Sequence, residues 1–148
     1  MKARKWLERG QKANDPFNAL TDVWRAFNNL FYSAQGRTER EKIKAFLASK
    51  VSREDALAVL EKHQERITYL LSQPVIDMRG NGRDTTQNIL AFHAATGDPV
   101  GRVVELFMVV YQIRCNLEHG QKSPDRERDL QLCKCASPVV AYVVERMT

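Results

Sequence analysis

Two residues near the end of one apolar repeat draw attention for their chemistry. From Pro99, the positions Val100, Val103, Val104, Phe107, Val110 and Tyr111 recur at three- and four-residue steps, and the same spacing runs on to Arg114 and Leu117. An arginine therefore stands where the pattern calls for a hydrophobe. Five residues later, beside Gly120, comes His119. Arginine is a permanent, fork-shaped cation and histidine titrates near neutral pH, so a pocket holding both suits proton transfer beside an anion. On an ideal helix the two would lie roughly 140° apart. They converge only if the helix end distorts or a second chain brings the partner group. A plainer account exists for each. Glu118, four residues after Arg114, can pair with it, and the helix dipole favours a histidine at a C-terminus. In a chain with fourteen arginines and three histidines such a spacing arises by accident. Only its surroundings give it weight.

Those surroundings are specific. Ile113-Arg114-Cys115-Asn116-Leu117-Glu118-His119-Gly120-Gln121-Lys122 resembles the signature of the HEPN family (higher eukaryotes and prokaryotes nucleotide-binding domains). Many bacterial members end their penultimate long helix in words such as IRNNLFHGGK. The Arg, Asn, Leu, His, Gly and Lys all match. Leu20-Thr21-Asp22-Val23-Trp24-Arg25-Ala26-Phe27-Asn28-Asn29-Leu30-Phe31-Tyr32 is similar to the family's early WxAFNxLY helix. The resemblance covers both ends of the chain and fades across residues 50–97. Two positions depart from it: Cys115 replaces a polar residue that assists catalysis in active members, and Glu118 replaces a common aromatic. Gln121 stands where members modified by a nucleotidyltransferase antitoxin carry a tyrosine.

The resemblance implies a four- or five-helix bundle that dimerises so that two Arg-x4-His motifs face each other. Active members are metal-independent ribonucleases. In them Arg114 and His119 would be the catalytic pair, supported by Asn116, Asn28 and Lys122. RNA carries its own nucleophile, the 2′-hydroxyl, so the protein need only move protons and neutralise phosphate charge. Asn28 also falls on the Trp24–Phe31 stripe, an amide where a hydrophobe is expected, placed either to reach the same pocket or to bond to neighbouring backbone. No metal and no cofactor are expected. The expected partners are a second copy of the chain, an RNA substrate and, for a toxin or defence effector, an antitoxin protein. A HEPN-like domain without catalysis, binding RNA, a nucleotide or a protein, is the alternative. An all-α adaptor is the third reading, with Arg114 and His119 structural.

The elements that must position these residues read as helices throughout. Asn14-Asp15-Pro16 is a start signal, a capping residue before proline at the first helical position. Phe17, Leu20, Trp24, Phe27 and Phe31 follow as one stripe. A short helix opens at Thr38. Ser52, with Asp55 three residues on, opens another through Ala56, Val59, Leu60, Ile67, Leu70 and Leu71, stopped before Pro74. Asp77 to Arg83 reads as a turn with two glycines, followed by a helix from Asp84 to Ala94. Asp98-Pro99 repeats the start signal. A last helix begins near Ser123-Pro124-Asp125 and is expected to kink at Pro138. The fold expected is all-α: residues 1–148 as a single helical bundle of five or six helices, HEPN-like and dimeric.

Composition agrees with one domain. The 148 residues are 43% hydrophobic and 28% charged, long enough to bury one core. No apolar run approaches the roughly 20 residues that cross a bilayer, so no membrane partner is expected. The charged N-terminus lacks the apolar segment of a signal peptide, and three cysteines cannot all pair in one chain. A cytoplasmic protein with reduced thiols is the expectation. Cys133 and Cys135 point roughly 200° apart on a helix, against a zinc site. Net charge is +5 and unevenly spread. Residues 1–50 hold 11 Lys or Arg against five Asp or Glu. Lys2, Arg4 and Lys5 could therefore draw in nucleic acid, or merely solvate a terminal helix.

Overall fold

Local capping chemistry sets most of the helix starts. The computed structural model describes residues 2–118 and 127–148. Helix α1 is Lys2–Lys12. Asp15 caps α2 (Pro16–Phe31), its carboxylate accepting from the Phe17 N–H with proline in the first turn. Thr38 opens α3 (Glu39–Lys50) through a reciprocal capping box with Glu41. Ser52 accepts from the Asp55 N–H to open α4 (Arg53–Lys62). Next come α5 (Gln64–Leu70), α6 (Thr86–Ala94), α7 (Pro99–Glu118) and α8 (Glu127–Met147). The Ser123-Pro124-Asp125 start signal lies outside the described residues. Helix α8 continues through Pro138.

All-α is the observed class. The described residues form eight helices rather than five or six. One reason is a break at His63, whose backbone (φ −109°, ψ 27°) ends α4 and starts α5. The apolar spacing runs across this point and gives no hint of it. The other is that the basic N-terminus forms a helix that docks. Gly10 is buried, and a Cβ there would lie 2.7 Å from Val23 Cγ1, so glycine lets α1 approach α2 closely.

Helix α2 packs between α1 and α8, while α7 contacts α3, α4 and α6. Their junction is aromatic. Phe27 lies 5.2 Å from Trp24, 4.9 Å from Phe31, 5.9 Å from Phe46 and 5.1 Å from Phe107, centroid to centroid. Helix α7 is wholly buried from Leu106 to Val110. The apolar stripe that led to Arg114 straddles the edge of this buried face. Val103, Phe107 and Val110 are buried in it, whereas Val100, Val104, Tyr111, Arg114 and Leu117 are half-buried. Arg114 thus continues the flank of the helix, where a long cation with an apolar stem is at home, rather than intruding into the core. The apolarity of α7 is consumed within one chain, so it does not by itself call for a partner.

The turn before α6 is tied down. Gly80 and Gly82 adopt φ +78° and +77°, the left-handed region where glycine alone is unstrained. Ile76 and Asp84 form an isolated antiparallel bridge. Asp77, 2% exposed, accepts from Arg79 Nε and Nη2 and from Asn81 Nδ2. The Arg79 bonds, with that of Asn81, hold its carboxyl well below the usual range despite burial. No helix among the described residues is long and apolar enough to cross a membrane.

Candidate functional site

The last turn of α7 and the first half of α2 enclose a cavity of about 310 Å³. Its wall includes Arg114 and Leu117 from α7, and Phe17, Thr21 and Trp24 from α2. The two segments that carry the family resemblance meet here. Arg114 has a 23% exposed side chain, and its Nη1 lies 2.6 Å from Glu118 Oε2 and 3.7 Å from Glu39 Oε2. The Glu118 pair is the local one that the spacing offers. Glu39, from the first turn of α3, has no sequence signal linking it to Arg114. Both carboxylates are more exposed than the arginine, and pairs of this kind contribute only a few tenths of a kcal/mol. A phosphate could displace them.

Trp24 supplies the second feature. Its ring is 1% exposed, and its indole N–H has no hydrogen-bond partner among the described residues. A buried donor left unpaired costs about 1–3 kcal/mol, and folded proteins leave few of them. Here the donor belongs to a residue lining the cavity that also holds Arg114. Tyr111 stacks nearby, 6.1 Å from Trp24, and carries Arg40 over its face at 5.2 Å. Burial pushes the Tyr111 hydroxyl up. It also pushes the Cys115 thiol up, against the opposing pull of its Tyr111 hydrogen bond and Arg114. That thiol stays protonated and is a poor nucleophile.

The other expected residues separate. Asn116, 2% exposed, faces away: its Oδ1 accepts from the Met78 N–H (3.2 Å) and Gln112 Nε2 (3.0 Å), and its Nδ2 donates to the Ile76 carbonyl (2.8 Å). It clamps the 76–78 turn to α7 instead of supporting Arg114. Asn28 is exposed. About 40° of helical rotation from Trp24 carries it past the edge of the buried stripe, so it does not stand among the core residues. His119 and Lys122 lie outside the described residues. Lys2, Arg4 and Lys5 are exposed on the outer face of α1, opposite the buried Ala3 and Leu7. Part of the basic surplus nearby is spent internally. Arg9 and Arg25 flank the buried Asp22 at 3.3 and 3.5 Å and lie over the Trp6 ring.

Among the described residues, no group of three or more His, Cys, Asp or Glu side chains could hold a metal ion. Cys133 is buried, and Cys115 and Cys135 are half-buried. Sequence reasoning missed the Trp24 indole, because the motif it stands in reads equally well as a core stripe. It also missed His63. No protein-family model, curated protein or solved structure matches the chain.

Proposed function

We propose that the chain is a metal-independent endoribonuclease of the HEPN type, with Arg114 and His119 at the active site, acting on cellular RNA as a toxin or defence effector. One observation carries this reading: Trp24 and Arg114, from the two segments that resemble the family, line one cavity at the end of α7. His119 follows α7 by a single residue. In the reaction, the RNA 2′-oxygen attacks the adjacent phosphorus and the bond to the 5′-oxygen breaks. The products are a 2′,3′-cyclic phosphate and a free 5′-hydroxyl. A neutral histidine takes the 2′ proton, and a protonated one delivers a proton to the leaving oxygen. Arg114 holds the non-bridging oxygens. Two facing copies in a homodimer would supply both histidines.

The pairing of Arg114 with Glu118 and Glu39 favours a second reading, a HEPN-like domain that binds RNA, nucleotide or protein without cleaving it. Purified protein incubated with total RNA in EDTA separates the two. The first reading expects discrete cleavage that an Arg114→Ala/His119→Ala double variant loses. An inert wild type supports the second. Light scattering should give twice the chain mass, and a monomer at micromolar concentration would count against a composite site.

A further inference from the structure

A second cavity, of about 440 Å³, opens between the α1–α2 junction, the α4–α5 break and α8, and it shares no lining residue with the Arg114 cavity. We propose that it binds a small organic anion, a phosphate or carboxylate on a planar apolar body, which accepts the His63 Nε2 hydrogen with its charge between Lys62 and Lys134.

His63 carries most of the argument. The residue lines the cavity and is 6% exposed, and its Nε2 has no partner among the described residues. Nδ1 lies 3.1 Å from Arg66 Nη1. A guanidinium has donors and no acceptor, so Nδ1 must accept and the ring proton must sit on Nε2. Burial, aided by the charges of Arg66 and Lys62, lowers the pKa of His63, which keeps this donor tautomer neutral at physiological pH. The helix is broken at this residue. An unpaired buried N–H on a residue that lines a cavity is what a ligand acceptor would satisfy.

The rest of the wall defines the ligand. Lys62 and Lys134 are exposed cations at its rim. Glu145, the one acid among the lining residues, is already held by Gln11 Nε2 at 2.5 Å. An anion is therefore favoured. Tyr142, edge-on to His63 at 5.3 Å, joins Pro138 and Ala141 as an apolar side. The volume lies within the usual range for small-molecule sites. Nothing here depends on the nuclease reading.

The test follows the His63 ring by nitrogen-detected NMR in the labelled full chain, titrated with phenyl phosphate, benzoate and uncharged benzyl alcohol. Phenyl phosphate or benzoate should shift the Nε2 signal saturably, and whichever binds tighter identifies the anion. A Lys62→Ala/Lys134→Ala variant should weaken binding about tenfold or more, as should His63→Leu, by loss of a charged hydrogen bond. His63→Gln should bind within a few-fold of wild type, because its amide N–H can stand in for Nε2. The proposal is overturned by equal binding of benzyl alcohol, or by no saturable shift up to about 10 mM of either anion, the weak limit for a specific site. Unchanged affinity in the lysine variant also overturns it. Those lysines are exposed, so this arm stands even if His63→Leu fails to fold.

Discussion

Arg114 and Asn116 are two residues apart on one helix, yet they sit in opposite surroundings. Two helical positions turn them roughly 200° from each other. Asn116 faces the 76–78 turn and spends three hydrogen bonds on it and on Gln112. Arg114 faces α2 across a cavity, held by carboxylates that water also reaches. The first is bound by two backbone groups and the buried Gln112. The second is bound by groups that a stronger anion can replace. The side of the helix from which a residue leaves therefore decides whether it ties a turn to the fold or borders a cavity, and both outcomes occur within a single turn.

The largest expected effect tests the chemical side. His119→Ala should cost roughly 10²–10⁴ in cleavage rate, the range for losing a general acid or base, with RNA binding nearly intact. Arg114→Lys keeps the charge and loses the fork, so it should recover only part of the activity. Added divalent metal should restore neither. Single variants that stay folded and cut at the wild-type rate would refute the nuclease reading.

The folding side is tested by Asn116→Ala. The change strands the Ile76 carbonyl and the Met78 N–H, and should destabilise by about 2–4 kcal/mol. For a chain of this size that lowers Tm by about 6–13 °C. Cleavage per folded molecule should stay close to wild type at low temperature. A large activity loss in a stable Asn116→Ala protein would move this residue into the site and erase the contrast with Arg114.

What the sequence revealed follows the range of the interactions. The starts at Asp15-Pro16, Thr38 and Ser52 were legible because each cap is made within three residues. So was the Glu118 partner of Arg114, one turn away. The break at His63 was not, because Ala56, Val59, Ile67 and Leu70 keep helical spacing across it and the imidazole meets Tyr142 from α8. The Asn116 clamp spans 38 and 40 residues, beyond any local pattern. Trp24 announced its buried ring, while its unpaired N–H depends on what the neighbouring helices fail to offer.

A smaller effect concerns how RNA would reach the Arg114 side. Lys2, Arg4 and Lys5 are exposed, whereas Arg9 and Arg25 are committed to Asp22. Reversing the first three charges to Glu should weaken RNA binding about tenfold at low salt. It should also flatten the slope of log affinity against log salt by about 0.7 for each phosphate of a single strand that these side chains no longer neutralise. An unchanged slope would leave α1 as a solvated face whose role is to pack Leu7 and Gly10 onto α2.

The smallest effect is the most direct probe of Arg114 itself. Glu118→Gln removes the closer of its two carboxylate partners, at 2.6 Å, and leaves Glu39 at 3.7 Å. The pair is partly exposed and four residues apart, so its loss should cost stability only about 0.3–0.5 kcal/mol. If Arg114 serves phosphate, the same few tenths are returned on binding, because RNA no longer competes with Glu118. RNA affinity should then rise about twofold, with the gain shrinking as salt is added. If Arg114 serves the fold, the variant should lose stability and leave RNA affinity unchanged. Measuring Tm and RNA affinity on this one variant distinguishes an arginine parked between carboxylates from one anchored by them.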